Sequence, residues 1–327
     1  MTDMFLDGKA NAIGLGTWQM GLKGWGKDYD YNSSIEAFKY AINNGINFID
    51  SAEIYGGGTS EELIGKALET LDRKQIYIAT KVAGFNATAK RVGKSLHGSL
   101  NRLNIDYVDL YQVHWEPSNY TNLQELFKEL ERLAKEGLIK HIGVSNFSLN
   151  TLQKVASYLK DYRIESNQIK FNLIERPDKN LQNYMNEHDI KLIAWSPLAQ
   201  GFLTGKYGAG NRPSGGIRKI NSLFSDHNMK RYEPLLEVLK EIALQNNVSV
   251  TQLVLAYEAQ LGVLPIPGFK NVKQVKDIVG AINLELKEKD AARISEVIDK
   301  VRTIYANDVM FPRFFPNFMV RLVSLFL

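Results

Sequence analysis

The sequence predicts an α/β fold, a single-domain (β/α)8 TIM barrel, on two observations. Short β-branched or apolar runs alternate with longer amphipathic stretches along most of the chain, the rhythm of parallel strands joined by helices. No G-x-G-x-x-G follows the first clear strand, which ends in Asp50-Ser51-Ala52-Glu53, so an open dinucleotide-binding sheet lacks its phosphate turn. Parallel strands need cover on both faces, and the closed barrel then fits the count better.

Taken in order, strands are expected at 46–50, 76–80, 107–113, 141–144, 164–169, 190–195 and 263–266, each rich in Val, Ile, Leu or Tyr. An eighth is expected between Trp195 and Val263, where a Gly-rich stretch at 201–228 obscures it. Gly14, Gly16, Thr17 and Trp18 precede the first of these runs, so the N-terminal segment is expected to form a hairpin closing one end of the barrel. Ser33 with Glu36, Thr59 with Glu62, and Ser249 with Gln252 read as capping boxes that start helices, and Gly45 and Gly137 as their stops. The barrel is assigned to 1–308, followed by an apolar tail at 309–327 with five phenylalanines and two charges, Arg313 and Arg321. The tail is expected to pack on its own barrel, with a homo-oligomer interface or shallow membrane contact as the rival readings.

Composition narrows the chemistry. Lys plus Arg number 40 against 36 Asp plus Glu, a formal charge of +4, too even for a protein that grips nucleic acid along its backbone. There is no cysteine, which removes disulfides, thiolate nucleophiles and Cys-based metal centres. The start has no basic flank followed by an apolar core, so a cytoplasmic protein is expected, and no apolar run reaches the ~20 residues that span a bilayer. The five histidines, His97, His114, His141, His188 and His227, show no paired metal-ligand spacing, so no metal is expected. Gly201 to Lys206 has one residue too few between its glycines for a phosphate loop.

Active sites of such barrels lie at the carboxyl ends of the strands. Three consecutive strand ends deliver Asp50 with Tyr55 in the loop after it, then Lys81, then His114. Individually these could be a helix cap, a packed ring and two solvated side chains. Together they bring an acid, a phenol, an amine and an imidazole to one face.

The chain resembles the aldo-keto reductase family. The segments that carry the resemblance are GLGTWQ at 14–19, FIDSAEIYGGGTSEELIGKAL at 48–68, ATKV at 79–82, LYQVHW at 110–115, IGVSNF at 142–147, NQIKFN at 167–172, AWSPLAQGFLTGKY at 194–207 and PIPGFKN at 265–271. The resemblance implies reversible NADPH-dependent reduction of aldehydes or ketones, with Asp50, Tyr55, Lys81 and His114 as catalytic tetrad. A phenol holds its proton near neutral pH, and a neighbouring Lys81 is expected to lower its pKa toward the working range. Carried over residue by residue, Ser145, Asn146 and Gln168 would contact the carboxamide and Trp195 would stack on nicotinamide. Ser196, Pro197, Leu198, Gly201 and Lys206 would line the pyrophosphate, and Gly16, Thr17, Trp18, Asp50, Gly268, Lys270 and Gln274 complete the cofactor set. Lys270 would favour the 2′-phosphate of NADPH, with NADH as the alternative. The family's adenine-binding Asn is replaced by Ile278, so weaker cofactor binding is expected. Trp18, Tyr55, His114 and Trp115 would line the pocket of a small-molecule carbonyl substrate. Two rivals stand beside this reading: a regulatory subunit that senses nicotinamide redox state with little turnover, and a lyase using Lys81 as a Schiff-base amine.

Overall fold

The structure, a computed structural model, describes residues 12–21, 30–207, 211, 213, 222–301 and the backbone of 304–305. Its strands in chain order are β1 Leu15–Gly16, β2 Phe48–Asp50, β3 Tyr77–Val82, β4 Val108–Val113, β5 Ile139–Ser145, β6 Ile164–Lys170, β7 Glu175–Arg176, β8 Lys191–Trp195, β9 Leu264–Pro265 and β10 Ile304–Tyr305. Eight of them form one parallel sheet in the order β1-β2-β3-β4-β5-β6-β8-β9, and β7 pairs with β10 apart from it. The barrel closes where Gly14 N–H donates to the Pro265 carbonyl and Gly16 N–H to that of Pro267, both at 3.0 Å.

The helices are α1 Tyr31–Asn43, α2 Thr59–Leu68, α3 Val92–Leu103, α4 Leu123–Lys135, α5 Leu149–Ala156, α6 Lys179–Glu187, α7 Asp226–Arg231, α8 Glu233–Gln245, α9 Val250–Gln260, α10 Val272–Val279 and α11 Glu288–Lys300. No described helix is long and apolar enough to cross a membrane.

Two expectations about the barrel are corrected. The eighth strand is β1, at the N-terminal end, and no strand of the sheet lies among the described residues between Trp195 and Val263. Residues 14–16, read as part of a hairpin, are thus barrel wall: Leu15 pairs with Ile49 and Gly16 with Asp50 in parallel register. Two residues of ladder are too short to show a period of two, which is why the run escaped notice. What residues 1–11 form, and the tail at 309–327, lie outside the described residues.

Of the expected capping boxes, Ser249 with Gln252 forms both reciprocal bonds, at 3.1 and 2.8 Å. The other two do not form. Asp30 caps α1 by accepting from Asn32 and Ser33 N–H, which puts Ser33 inside the helix. Thr59 is already the first residue of α2, after Gly58 in a left-handed conformation. Gly45 and Gly137 follow α1 and α4 at φ of +99° and +81°, the left-handed stops expected of them.

Strand alternation sorts the barrel interior into layers. Phe48, Ala79, Leu110, Ile193, Leu264 and Ile266 form one apolar cluster of inward side chains. Two residues further along β2, β3 and β4, on the same face, stand Asp50, Lys81 and Gln112. The apolar layer therefore floors a polar one at the carboxyl ends of the strands.

One buried group lies outside this plan. Glu258 on α9 is fully buried, neither carboxyl oxygen has a hydrogen-bond partner, and the guanidinium nitrogen Nε of Arg176 also lacks one. Burial pushes the Glu258 carboxyl well above its ordinary value, with Arg176 opposing only in part. The folded state then holds this proton more tightly than the unfolded chain, so its contribution to stability declines as pH rises above the ordinary carboxylate range. Glu258→Met is expected to raise stability at pH 8 by roughly 1–3 kcal/mol, with a smaller gain at pH 5. Thermal unfolding at the two pH values checks this, and an equal or lower midpoint for the variant at pH 8 would contradict it.

Candidate active site

The polar layer is built around one ion pair. Lys81, 0% exposed, places Nζ 2.5 Å from Asp50 Oδ1 and donates to the Ser51 carbonyl at 2.8 Å and to the Tyr55 hydroxyl at 3.2 Å. The second Asp50 oxygen accepts from Gln112 Nε2 at 3.1 Å and Gln168 Nε2 at 2.7 Å. Every charge on the buried pair thus has a hydrogen-bonded partner, which a desolvated pair requires. His114 follows β4, and its ring meets that of Tyr55 edge-on with centroids 5.6 Å apart. The four residues singled out by position are brought together.

The electrostatics differ in one respect from the sequence expectation. Burial raises the Tyr55 hydroxyl above its ordinary value, and the opposing effect of Lys81 does not overcome it. The phenol is fully desolvated, and the Asp50 carboxylate beside Lys81 offsets part of what the ammonium gives. Burial alone would lower Lys81, but Asp50 and Tyr55 together more than reverse this and hold it charged. His114 is driven well below its ordinary value by burial and then by the Lys81 charge, so it is neutral, and its Nδ1 is buried without a hydrogen-bond partner.

Beside the tetrad, the ends of β5, β6 and β8 form a second network. Ser145 Oγ donates to the Gln168 carbonyl at 2.8 Å, Asn146 Nδ2 donates to Ser145 Oγ at 2.9 Å and to the His114 carbonyl at 3.1 Å, and Trp195 Nε1 donates to Asn146 Oδ1 at 3.0 Å. Asn146 has a left-handed φ of +56°, tolerated by Asn. Side-chain amides, a hydroxyl and a broad indole are the chemistry that fits a nicotinamide carboxamide and ring. The chain then turns through Ser196, Pro197 and Leu198, with positive φ at Ser196, Ala199, Gln200 and Gly201, before the exposed Lys206. Across the barrel seam, Gly16 bridges to Gly268. Lys270 N–H donates to Gln274 Oε1 at 2.8 Å, joining those two residues at the start of α10. Ile278 is 2% exposed in the core, so its side chain packs α10, and an Asn there would bury an amide in apolar surroundings.

Trp115 packs with Ala83, and Ile54 and Phe85 join that small apolar cluster beside His114. Trp18 opens the short turn Trp18–Gly21, whose last residue lies against Tyr55 and Gly56. Sequence reasoning missed Gln112, although it stands two residues before His114 and so shares its face of β4. It also missed Glu53, whose carboxylate accepts from Ala83 N–H at 2.7 Å and Asn86 Nδ2 at 3.0 Å.

The profile of the Aldo/keto reductase family matches residues 12–299. An uncharacterized oxidoreductase of Mycobacterium tuberculosis (strain ATCC 25618 / H37Rv) is 36% identical over 305 residues, covering 91% of this chain and 92% of its own. The chloroplastic pyridoxal reductase of Arabidopsis thaliana is 33% identical over 86% of this chain and 81% of its own. Among solved structures, an aldo/keto reductase from Klebsiella pneumoniae in complex with NADP and acetate aligns with a TM-score of 0.71 at 27% identity, covering 88% of this chain and 92% of that one.

The raised Tyr55 hydroxyl has a direct readout. In an ultraviolet difference titration of the protein against Tyr55→Phe, the phenolate signal of Tyr55 is expected to stay absent up to about pH 10, the ordinary tyrosine range. A difference signal growing in by pH 9 would show that Lys81, not burial, sets this phenol.

Proposed function

This chain belongs to the aldo/keto reductase family, and we propose that it reduces aldehydes and ketones to alcohols with Tyr55 giving the proton. It is a nicotinamide-dependent oxidoreductase; NADPH supplies the hydride that no side chain can. The proposal is carried by Lys81 Nζ, which stands between the Asp50 carboxylate and the Tyr55 hydroxyl.

A carbonyl oxygen that gains negative charge needs a proton and hydrogen-bond donors at that moment. Tyr55 meets the first need: burial keeps its proton on until the developing alkoxide draws it off. As the proton leaves, the phenolate forms beside Lys81, whose charge Asp50 holds in place. Neutral His114 orients the substrate oxygen through a ring nitrogen, and being neutral it does not compete as an acid. Run backwards, a Tyr55 phenolate takes the proton of an alcohol.

Ser145, Asn146, Gln168 and Trp195 would hold the nicotinamide end of the cofactor. Ser196, Pro197, Leu198, Gly201 and Lys206 would follow the pyrophosphate, with Gly16, Thr17 and Trp18 on the opposite rim. Gly268, Lys270 and Gln274 would take the adenosine end, where the Lys270 ammonium favours the 2′-phosphate and so NADPH over NADH. A lysine gives a point charge without a fork, so the preference is expected to be modest. Trp18, Trp115, Phe85 and Ile54 supply apolar wall, which supports hydrophobic or aromatic aldehydes as substrates.

With an aldehyde panel that includes aromatic members, NADPH oxidation is expected, and Tyr55→Phe is expected to lower kcat by roughly 10²- to 10⁴-fold with NADPH affinity unchanged. Because Tyr55 stays protonated and His114 neutral across the range, the reductive kcat is expected to be level from about pH 6 to pH 9, while alcohol oxidation rises with pH. NADPH binding without turnover of any panel member would instead support a redox-sensing subunit. Full activity in Tyr55→Phe would remove Tyr55 from the mechanism.

A further inference from the structure

We propose that Glu53 is a positioning residue that sets the place of Tyr55, by substituting its carboxylate for a missing backbone carbonyl at the end of the β2–β3 ladder. The inference rests on the reading of Tyr55 as proton donor.

The register makes the argument. Asp50 is paired with Ala79, and the ladder alternates: Tyr77 N–H donates to the Asn47 carbonyl at 2.7 Å, Ser51 N–H to that of Ala79 at 2.8 Å, and Glu53 N–H to that of Lys81 at 3.2 Å. In a parallel ladder the next rung would run from Ala83 N–H to the Glu53 backbone carbonyl. Instead Ala83 N–H donates to Glu53 Oε1 at 2.7 Å. The same oxygen accepts from Asn86 Nδ2 at 3.0 Å, fixing it to the loop that follows β3.

The substitution has a structural consequence. Beyond Glu53 the backbone is released from the sheet and turns, with Tyr55 N–H donating to the Ala52 carbonyl at 3.1 Å and Gly57 N–H to that of Ile54 at 3.0 Å. That turn carries Tyr55 over the barrel mouth to within 3.2 Å of Lys81 Nζ. One side chain thus closes the ladder and frees the chain to leave it, two residues before the phenol. Lys81 and Ala83 belong to the same segment of chain, so Glu53 ties the Tyr55 loop to the strand end that holds the phenol's cationic partner. Its partners, Ala83 N–H and Asn86 Nδ2 after β3 and the Ser95 hydroxyl on α3, are all neutral donors, so the role is one of reach and acceptance, which an amide oxygen performs as well as a carboxylate.

Two variants separate reach from charge. Glu53→Gln keeps the reach and the acceptor while losing the charge; Glu53→Asp keeps the charge but is one methylene short. Both are assayed for kcat and for NADPH affinity by quenching of protein fluorescence, beside the wild type and Tyr55→Phe. Glu53→Gln is expected to retain kcat within about threefold and Glu53→Asp to lose about tenfold or more, as misplacement of a reacting group does, with NADPH affinity within about twofold in both. An Asp variant as active as wild type, or a Gln variant as impaired as the Asp variant, overturns the proposal, as does a fall in kcat matched by an equal loss of NADPH affinity. If an Asp variant does not fold, the Gln variant still decides, since loss of its activity refutes the acceptor role and near-native activity upholds it. An active Tyr55→Phe enzyme would refute the underlying reading of Tyr55, a result distinct from any of these.

Discussion

Asp50 and Lys81 form an ion pair with both side chains sealed from solvent, at 2% and 0% exposure, and most of the site follows from satisfying it. Two charges removed from water are costly unless every lone pair and proton finds a partner. The barrel supplies them from separate strands: Ser51 from the end of β2, Gln112 from β4 and Gln168 from β6. The remaining contact of the ammonium is the Tyr55 hydroxyl. The proposed proton donor is thus also part of what makes a buried lysine tolerable, and its identity is constrained by both demands.

Burial, rather than the pair, is what raises the phenol, and the pair offsets that rise only in part. A free ammonium beside a tyrosine would stabilise the phenolate. Here burial disfavours any net charge the phenol would add, and the nearby Asp50 carboxylate offsets part of the ammonium's effect. Tyr55 is therefore held as a neutral phenol, the form that the proposed reduction requires of a proton donor. In the proposed reaction Lys81 would act after the transfer, on the phenolate left behind, more than before it.

Much of this was legible in the sequence because strands announce both their alternation and their ends. Asp50, Lys81 and His114 could be placed on one face from the spacing of apolar runs, since residues two apart share a face and catalytic groups collect at carboxyl termini. What escaped was whatever lacks a periodic signal. β1 has two residues, and its place in the wall is visible only through pairing with β2 and β9. Gln112 was hidden by its chemistry: an amide in an apolar run reads as a gap in the pattern until Asp50 is found opposite it. Ser33 and Thr59 carry the right residue types for caps, but the competing Asp30 and Gly58 start those helices earlier, and sequence spacing alone does not rank such neighbours. The direction of the Tyr55 shift needed burial and two distances, neither of which a sequence contains.

Closure of the barrel and construction of the site turn out to be one event at the β1–β2 seam. Gly16 lies so near the Ile266 carbonyl that a Cβ there would stand 2.8 Å from it, closer than real contacts allow, so the seam closes only on a residue without a side chain. That close approach holds β1 against both β9 and β2. Thr17, next in the chain, can then donate through its backbone N–H and its hydroxyl to the Asp50 carbonyl, at 3.0 and 2.9 Å. Ser60 on α2 donates to Thr17 Oγ1 at 2.8 Å and meets Ser51 Oγ at 3.1 Å, so the hydroxyl network extends from the seam to the first turn of the next helix. The backbone of Asp50 is thereby pinned from the closing strand while its side chain is pinned from β3, β4 and β6. A loosened seam would leave the Asp50 carbonyl without two of its donors and shift the carboxylate on which Lys81, and through it Tyr55, depends.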